Sequence, residues 1–287
     1  MKTLSFGEIL FDIYPDNKII GGAPLNLASH LAKLGVDSRI ISAVGNDCSG
    51  RNALEQIKSV GVNDSFVAIT DFPTGYSIVT FKDKKPCYAL SPDCAFDHIP
   101  AVRPDGDYDV FCFGTLAQRN EDSRSTLHDL LDNGSFREVF CDINIRDGFN
   151  SVDTLEYSLS KSSIVKLSRE ESPIFKALGI SEQTEAMALA ENISDKYSVH
   201  TVIVTLDKDG ALVYSNKSKY RSVKPTSRPL STVGAGDSFS ACFLYNYLCG
   251  VSIQMCLDRG VMLSDFVVTQ PEAVPDYPEG LLHAIKD

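Results

Sequence analysis

Short apolar runs alternate with amphipathic segments along most of the chain, and this pattern predicts strands and helices in turn. The apolar runs are rich in β-branched and aromatic residues, which predicts strands at Lys2–Phe6, Ser38–Val44, Val110–Phe113, Val139–Ile143, Ile164–Leu167, Thr201–Leu206 and Ala211–Tyr214. Helical spacing of apolar residues occurs at Leu27, Leu31 and Leu34 before Gly35, at Leu54, Ile57 and Val60 before Gly61, and at Met187, Ala190 and Ile193. This alternation predicts a doubly wound α/β fold, a mostly parallel sheet with helices on both faces.

Residues 66–98 interrupt the alternation with shorter and more polar segments. Two such segments, 76–81 and 87–90, flank the charged stretch Lys82-Asp83-Lys84-Lys85-Pro86, as in a hairpin that is half exposed on one face. We expect a small β lid over an active site, formed by segments about 11–20 and 66–98, although a surface hairpin without function fits the same pattern. No linker divides the chain, so residues 1–287 are expected to form a single domain.

Charge and composition disfavour several classes of partner. The 287 residues carry a formal net charge of -11, which would repel nucleic-acid phosphates and anionic lipid surfaces. No apolar run approaches the ~18 residues of a membrane span, and the early acidic residue Glu8 argues against a signal peptide. The eight cysteines form no C-x-x-C pair and are expected to be reduced, which favours a cytoplasmic location.

The segment Ser231-Thr232-Val233-Gly234-Ala235-Gly236-Asp237 has the features of an anion-binding helix start. Its two glycines would let backbone N–H groups converge at the N-terminus of the following helical stretch, where the helix dipole favours phosphate. Asp237 would stand in the first turn, placed to take a proton from a hydroxyl that attacks phosphorus. A glycine-rich turn with an acidic residue at a helix start, without any ligand, fits the same local pattern.

A second glycine pair precedes another predicted helix, in Gly21-Gly22-Ala23-Pro24-Leu25-Asn26-Leu27-Ala28. The pair would bring the backbone close to a ligand, and Asn26 together with Asp12 could hold vicinal sugar hydroxyls. A plain turn with Pro24 at the helix start is the alternative. The chain has no G-x-x-x-x-G-K-[ST] motif, and the later glycine cluster lacks the third glycine of a dinucleotide site.

Together the two clusters resemble the two signatures of the ribokinase-like (PfkB) carbohydrate kinases, about 210 residues apart in the usual order. The likeness extends over nearly the whole chain and is closest to the bacterial fructokinases. It is supported by ordered pieces at Phe6-Gly7-Glu8, Pro73-Thr74-Gly75, Ala95-Phe96-Asp97-His98-Ile99, Asp142-Ile143-Asn144-Ile145-Arg146, Val165-Lys166-Leu167-Ser168-Arg169-Glu170-Glu171 and Val267–Pro275. The resemblance implies a ribokinase-like fold and an enzyme that transfers the γ-phosphate of MgATP to a sugar hydroxyl, with D-fructose as the expected acceptor.

The resemblance also implies roles for the matching positions, which fall into four groups. The catalytic base and its anion hole would be Asp237 and Gly234, Ala235 and Gly236. The residues that hold the sugar or face the transferring phosphate would be Asp12, Gly22, Asn26, Asn144 and Arg146. The ATP pocket would be lined by Ser168, Thr205 and Gly210, and Mg²⁺ with its waters would be organised by Glu171. A surface ion pair is the simpler alternative for Arg146 and for Glu171.

Three positions depart from the family pattern. Ser231 and Glu272 stand where the family usually has Asp and Gly beside a monovalent-cation site, so potassium activation is doubtful. Asp207 replaces a glycine of the nucleotide strand, and its carboxylate would repel phosphates. The acceptor could instead be 2-keto-3-deoxygluconate, ribose or a nucleoside, or the chain could be an inactive sugar-binding sensor. An exposed lid edge could also pair with its copy and form a homodimer.

Overall fold

A large twisted sheet forms the centre of the molecule in the computed structural model, which describes residues 1–82, 85–146, 148–149, 151–223 and 228–287. Numbered in chain order and taken across the sheet, its strands are β13 (Ser218–Ser222), β12 (Ala211–Ser215), β11 (Thr201–Thr205), β10 (Ile164–Ser168), β9 (Phe136–Asp142), β8 (Tyr108–Gly114), β1 (Lys2–Phe6), β4 (Asp37–Gly45) and β5 (Asn63–Thr70). Neighbouring strands run parallel except in the pairs β11–β12 and β12–β13. The mostly parallel sheet expected from the sequence is therefore confirmed.

Helices cover both faces of this sheet, because alternate residues of its strands point to opposite faces and both sets are apolar. On β8, Phe111 and Phe113 pack into one core layer, whereas Val110 and Cys112 pack into the other. The first layer is completed by α3 (Glu121–Asn133), α4 (Val152–Lys161), α5 (Ser172–Ala177) and α6 (Ala186–Tyr197). The opposite face is covered by α1 (Ala23–Lys33), α2 (Cys48–Ser59), α7 (Ala235–Leu248), α8 (Ile253–Val267) and α9 (Glu279–Lys286).

A second, smaller sheet stands apart from the large one. In spatial order its strands are β3 (Lys18–Gly21), β2 (Leu10–Ile13), β6 (Gly75–Lys82) and β7 (Lys85–Leu90). Ser77 pairs with Leu90 and Val79 with Tyr88, so these four residues share one face of the hairpin, and Ile78 lies on the other face. The predicted hairpin turn includes Asp83 and Lys84, which lie outside the described residues.

The small sheet is narrower than the lid segment predicted from residues 66–98. Residues 63–70 form β5, which pairs with β4 at the edge of the large sheet. Residues Ala95–Asp97 form a 3₁₀ turn whose Phe96 is completely buried. Residues 66–70 alternate between polar and apolar because β5 is an edge strand with one half-exposed face. A lid hairpin is half exposed too and gives the same alternation. Sequence alternation alone does not distinguish these two situations.

Other sequence expectations can be checked within the described ranges. The helices α1 and α2 end just before Gly35 and Gly61, as predicted. The thiols of Cys94, Cys112, Cys141, Cys242 and Cys256 are free and buried, whereas those of Cys48 and Cys249 are free and exposed. Each helix in the described part of the chain is too short or too polar to cross a lipid bilayer.

The strand order reverses beside β1, and this reversal fixes the place of a ligand site. From β1 the chain builds β4 and β5 on one side, and it then returns to build β8 to β13 on the other side. In open parallel sheets, ligands bind outside the carboxyl ends of the strands at such a switch point. The carboxyl ends of β1, β9 and β10 lead into Glu8, Asn144 and Ser168, respectively.

Candidate active site

The N-terminus of α7 points into the space beyond the carboxyl ends of the central strands. Gly234 precedes the helix with φ of 80°, and a Cβ at this residue would lie 2.4 Å from the carbonyl oxygen of Ala273. Only glycine fits this left-handed, crowded position. The first N–H groups of the helix have no intrahelical acceptors, so they and the helix dipole form an anion-binding end. Asp237 lies in the first turn of this helix.

The start of α1 meets the start of α7 through a side-chain hydrogen bond. Asn26 donates from Nδ2 to Oδ2 of Asp237 at 2.8 Å, which joins the two glycine clusters that are far apart in sequence. The chain enters α1 through Gly22, with φ of 115°, where a Cβ would lie 2.3 Å from the carbonyl oxygen of Glu8. A side chain at this position would separate α1 from the end of β1.

A cleft of about 900 Å³ opens between the small sheet and the carboxyl ends of the central strands. Of the residues predicted to bind the sugar or to catalyse transfer, the cleft is lined by Asp12, Gly22, Asn26, Asn144, Arg146, Gly234, Gly236 and Asp237. Tyr88 of the small sheet also lines it, and its ring lies 5.4 Å from the Arg146 guanidinium carbon. We call this space the acceptor cleft. The fold thus assembles residues from five separate segments of the sequence.

A second cleft of about 1020 Å³ lies on the other side of the α7 N-terminus. It is lined by the three residues predicted for the ATP pocket, Ser168, Thr205 and Gly210. Ala235 lines this second cleft, whereas Thr232 and Gly236 line both clefts. The two clefts therefore meet at the first turn of α7, and we call the second one the distal cleft.

Glu171 has a different environment from that of a free metal ligand. One oxygen, Oε1, accepts the backbone N–H of Ile145 at 2.5 Å, and the other, Oε2, accepts the N–H and the hydroxyl of Ser168 at 2.6 and 2.9 Å. The carboxylate is 7% exposed and is not among the residues that line either cleft. Glu171 thus ties the loop after β9 to the end of β10, next to both clefts.

Two carboxyl groups of the acceptor cleft hold their protons more tightly than usual. Removal from water raises the pKa of Asp237 to about 6, and the nearby charge of Asp142 adds to this effect. The hydrogen bond from Asn26 and the cations Lys166 and Arg146 act in the opposite direction. Burial also raises the pKa of Asp12 to about 6, although Arg146 lowers it in part. Both groups are therefore mainly ionised at neutral pH but titrate just below it.

Sequence reasoning did not assign roles to several residues that line the acceptor cleft. Lys166 donates from Nζ to both carboxylate oxygens of Asp142, at 2.9 and 2.8 Å, and both side chains are buried. Glu8 is 4% exposed and also faces the cleft. The sequence did offer two signals: Lys166 lies in the middle of the apolar strand β10, and Glu8 lies two residues after β1. Charged residues are rarely buried unless they are paired or bind a ligand, and ligands bind at the switch point of such sheets.

The three departures from the family pattern lie at separate places. Ser231 is partly buried, and its hydroxyl accepts the N–H of Val233 at 3.3 Å. Glu272 is exposed and lines a surface groove beside α1 and α2. Asp207 has φ of 53° in a 3₁₀ turn and lines the distal cleft, together with the residues predicted for the ATP pocket.

Comparison of the sequence with known proteins identifies a family. A family model described as pfkB family carbohydrate kinase matches residues 16–279. The chain is 25% identical to the ATP-dependent 6-phosphofructokinase of Thermoanaerobacterium thermosaccharolyticum, over 96% of this chain and 91% of that protein. It is 27% identical to a fructokinase of Rhizobium leguminosarum bv. trifolii, over 84% of this chain and 78% of that protein.

The fold is also found among solved structures. The fructokinase of Vibrio cholerae O395 in its fructose, ADP and calcium-bound form aligns with a TM-score of 0.82 and 22% identity, covering 100% of this chain and 99% of that one. This likeness confirms the ribokinase-like α/β fold expected from the sequence. Since the family model spans most of the residues, the chain belongs to the pfkB family of carbohydrate kinases. It is a sugar kinase, an enzyme that transfers a phosphoryl group to an alcohol.

Proposed function

We propose that this enzyme transfers the γ-phosphoryl group of ATP to a hydroxyl of an uncharged sugar, with D-fructose as the first candidate. The observation that carries the proposal is the meeting of the two clefts at the first turn of α7. Asp237 lies on the acceptor side of this turn, and Gly236 lines both sides. A sugar in the acceptor cleft and a nucleotide in the distal cleft would therefore bring their reacting ends together at the anion-binding helix terminus.

Asp237 is the proposed general base. Its carboxylate takes the proton of the attacking hydroxyl as the sugar oxygen bonds to the γ-phosphorus and the bond to the β-phosphate oxygen breaks, which leaves ADP. The N–H groups at Gly234, Ala235 and Gly236 stabilise the charge on the transferring phosphoryl group. Asn26 holds the carboxylate in place through its 2.8 Å hydrogen bond.

The charges of the acceptor cleft support an uncharged acceptor. Among the described residues that line it, the carboxyl groups are Glu8, Asp12, Asp142 and Asp237, and the cations are Arg146 and Lys166. These carboxyl groups outnumber the cations, and the charge of Lys166 is matched by that of Asp142. Such a cleft repels a sugar acid or a sugar phosphate and provides several acceptors for sugar hydroxyls. Asp12, Gly22, Asn26 and Asn144 are the proposed sugar contacts.

Arg146 could serve in one of two roles, stabilising the transferring phosphoryl group or binding an acidic acceptor. Its guanidinium stacks near Tyr88 and would contribute positive charge to the transferring phosphoryl group. If Arg146 instead binds an acidic acceptor, 2-keto-3-deoxygluconate would be the better substrate. The acceptor panel described below distinguishes these two roles, because it contains both uncharged and acidic acceptors.

ATP is proposed to lie in the distal cleft, with Ser168, Thr205 and Gly210 as its contacts. The described residues contain no group of three or more His, Cys, Asp or Glu side chains that could hold a metal ion. We therefore propose that Mg²⁺ would enter the distal cleft bound to ATP. Mg²⁺ commonly uses few protein carboxylates together with substrate phosphates and waters. Glu171 lines neither cleft, and its three hydrogen bonds leave one lone pair on Oε1, through which it would organise such waters from beside the site. The ion would neutralise phosphate charge near Asp207.

The test of the proposed function is ADP release from MgATP over a panel of acceptors, each with sodium or with potassium. The panel contains fructose, ribose, a nucleoside, 2-keto-3-deoxygluconate and fructose 6-phosphate. We expect turnover with fructose that does not depend on potassium, because Ser231 and Glu272 replace residues beside the cation site. Turnover confined to an anionic acceptor would contradict the charge argument. Fructose binding without any turnover would indicate a sugar sensor.

The Asp237→Asn variant tests the catalytic base. We expect its kcat to fall about 10²–10⁴-fold, which is the usual contribution of a positioned general base. For the unmodified enzyme, kcat/KM should fall about tenfold per pH unit below pH 6, because the pKa of Asp237 is about 6 and the carboxylate is the active form. Asp195→Asn, an exposed change on α6, is the matched control. Near-normal turnover by Asp237→Asn would refute the assignment.

A further inference from the structure

Glu8 is a buried acid with one unused oxygen. It lies two residues after the end of β1 and is only 4% exposed. Its Oε1 accepts the N–H of Ala23 at 3.3 Å, at the first residue of α1. Its Oε2 is buried and has no hydrogen-bond partner among the residues that the structure describes. A buried polar atom without a partner is costly unless another molecule supplies one.

Glu8 lines both the acceptor cleft and a smaller cavity that shares part of its wall, which we call the rear cavity. This rear cavity leaves about 20 Å³ for the centre of a water-sized sphere and is bounded mainly by apolar residues and backbone. Glu8, Ala23, Leu116, Asp142 and Asn144 line both spaces, so the rear cavity opens from the acceptor cleft. This space holds about one water molecule, so it suits one small substituent of a bound sugar, such as a hydroxyl group.

The surroundings of Glu8 favour its uncharged form. Burial raises the pKa of Glu8 to about 7, and the negative charge of Asp237 adds to this effect. Backbone N–H groups and Arg146 lower the pKa in part. A protonated carboxyl group has an O–H donor, which an ionised carboxylate lacks.

We propose that Glu8 binds the acceptor sugar as a carboxylic acid, donating its Oε2 hydrogen to an oxygen of the group that enters the rear cavity. This inference rests on the proposed function, and it assigns Glu8 to acceptor binding rather than to proton transfer. The cleft then contains two acids with opposite requirements. Asp237 works ionised as a base, and Glu8 works protonated as a donor.

The other charged groups around this site come from several elements. Asp12 lies on β2, Asp142 and Lys166 pair across β9 and β10, Arg146 follows β9, and Asp237 begins α7. Asp12 and Asp237 each have a pKa of about 6, so they lose their protons at a lower pH than Glu8, with its pKa of about 7. Above neutral pH, Glu8 is therefore the carboxyl group of the cleft whose ionisation changes acceptor binding.

The test measures KM for the acceptor in the unmodified enzyme, Glu8→Gln and Glu8→Leu between pH 6 and pH 8.5. We expect KM of the unmodified enzyme to rise about tenfold over this range, the equivalent of one lost hydrogen bond. Glu8→Gln keeps an N–H donor at every pH, so its KM should stay near the value of the unmodified enzyme at pH 6. Glu8→Leu has no donor, so its KM should be about tenfold higher at every pH.

Controls separate this inference from a structural role and from the proposed function. Glu55→Gln, an exposed change on α2, should leave the KM profile unchanged. If Glu8 only caps α1, its variants would lower the melting temperature, but KM of the unmodified enzyme would stay constant with pH, and this result would overturn the inference. Turnover of fructose with such a constant KM leaves the proposed function standing. Failure of every acceptor to bind or react at pH 6 would overturn both.

Discussion

At the scale of single residues, the acids around the active site differ because each has a different partner. Asp142 is neutralised by Lys166, whereas Glu171 accepts backbone N–H groups with both oxygens. Asp237 has one donor, Asn26, and a raised pKa. Similar side chains therefore serve as a salt-bridge partner, a loop anchor and a proposed base, depending on the donors that the fold places beside them.

The buried pair of Asp142 and Lys166 leads to a prediction about stability. Asp142→Asn should lower the free energy of unfolding by about 3–5 kcal/mol, because it leaves a buried ammonium without its counter-charge. Adding Lys166→Met to Asp142→Asn should recover much of this loss, since the unpaired charge is then removed. Urea unfolding of the three proteins measures the coupling.

The exposed pair of Lys196 and Glu156, 3.1 Å apart, is the matched control for this coupling. Its removal should change the free energy of unfolding by at most about 1 kcal/mol. If Asp142→Asn lowers the free energy of unfolding no more than removal of the exposed pair does, the Asp142–Lys166 pair is not important for stability.

At the scale of elements, sequence patterns predicted the centre of the fold better than its edges. The predicted strand Lys2–Phe6 coincides with β1, and the strands of the central sheet are displaced by only a few residues. Buried strands carry continuous apolar runs, so burial and pattern agree there. The edge strand β5 and the lid hairpin share a half-exposed alternation, and this is why residues 66–70 were assigned to the wrong sheet.

The same limit applies to the candidate site. The two glycine clusters are recognisable because only glycine fits Gly22 and Gly234, which leaves a local signal in the sequence. Glu8 and Lys166 show in the sequence only as charges beside or within apolar strands, and this does not reveal which distant segments they contact. Such contacts follow from the strand order, which hydrophobic periodicity does not specify.

The small sheet is proposed to act as a lid, and Tyr88 provides its test. Tyr88→Ala should raise KM for the acceptor about three- to tenfold, because the Arg146 guanidinium would lose the ring beside it. The melting temperature should change little, since Tyr88 is 37% exposed. Steady-state kinetics with Ile78→Ala as control measures the effect, because Ile78 lies on the opposite face of the hairpin. An unchanged KM would count against a lid function.

Ile78 is also relevant to the predicted homodimer. It is 45% exposed, and the neighbouring strand β7 lies at the edge of the small sheet. Exposed edges of this kind can pair with a second copy. Association through the lid stays a prediction.

At the scale of the whole molecule, the reversal of strand order gathers acidic residues from distant parts of the chain into one cleft. The net charge of -11 adds a general repulsion of anions, so phosphate binding has to depend on local groups. The α7 N-terminus and Arg146 are the groups proposed for this role at the junction of the clefts. Under the proposed function, the topology places the cleft for an uncharged sugar beside the junction that would accept the phosphoryl group.

The same arrangement predicts how the stability of the ligand-free protein depends on pH. The unfolded chain releases the Glu8 proton near pH 4.5, whereas the folded protein retains it up to about pH 7. Between these values the folded state binds more protons than the unfolded state, so this contribution to stability decreases as pH rises and is lost above pH 7. Asp12 and Asp237, with pKa values of about 6, act in the same direction.

Glu8→Gln isolates the share of one residue in this dependence. The free energy of unfolding of the unmodified protein should decline from pH 5 to pH 8 more steeply than that of Glu8→Gln. The difference in decline should be on the order of 3 kcal/mol at most, since Glu8 is almost fully buried. Urea unfolding at both pH values, without any sugar or nucleotide, measures it. Parallel declines in the two proteins would mean that Glu8 is ionised in the folded state, and this would contradict both the raised pKa and the donor role derived from it.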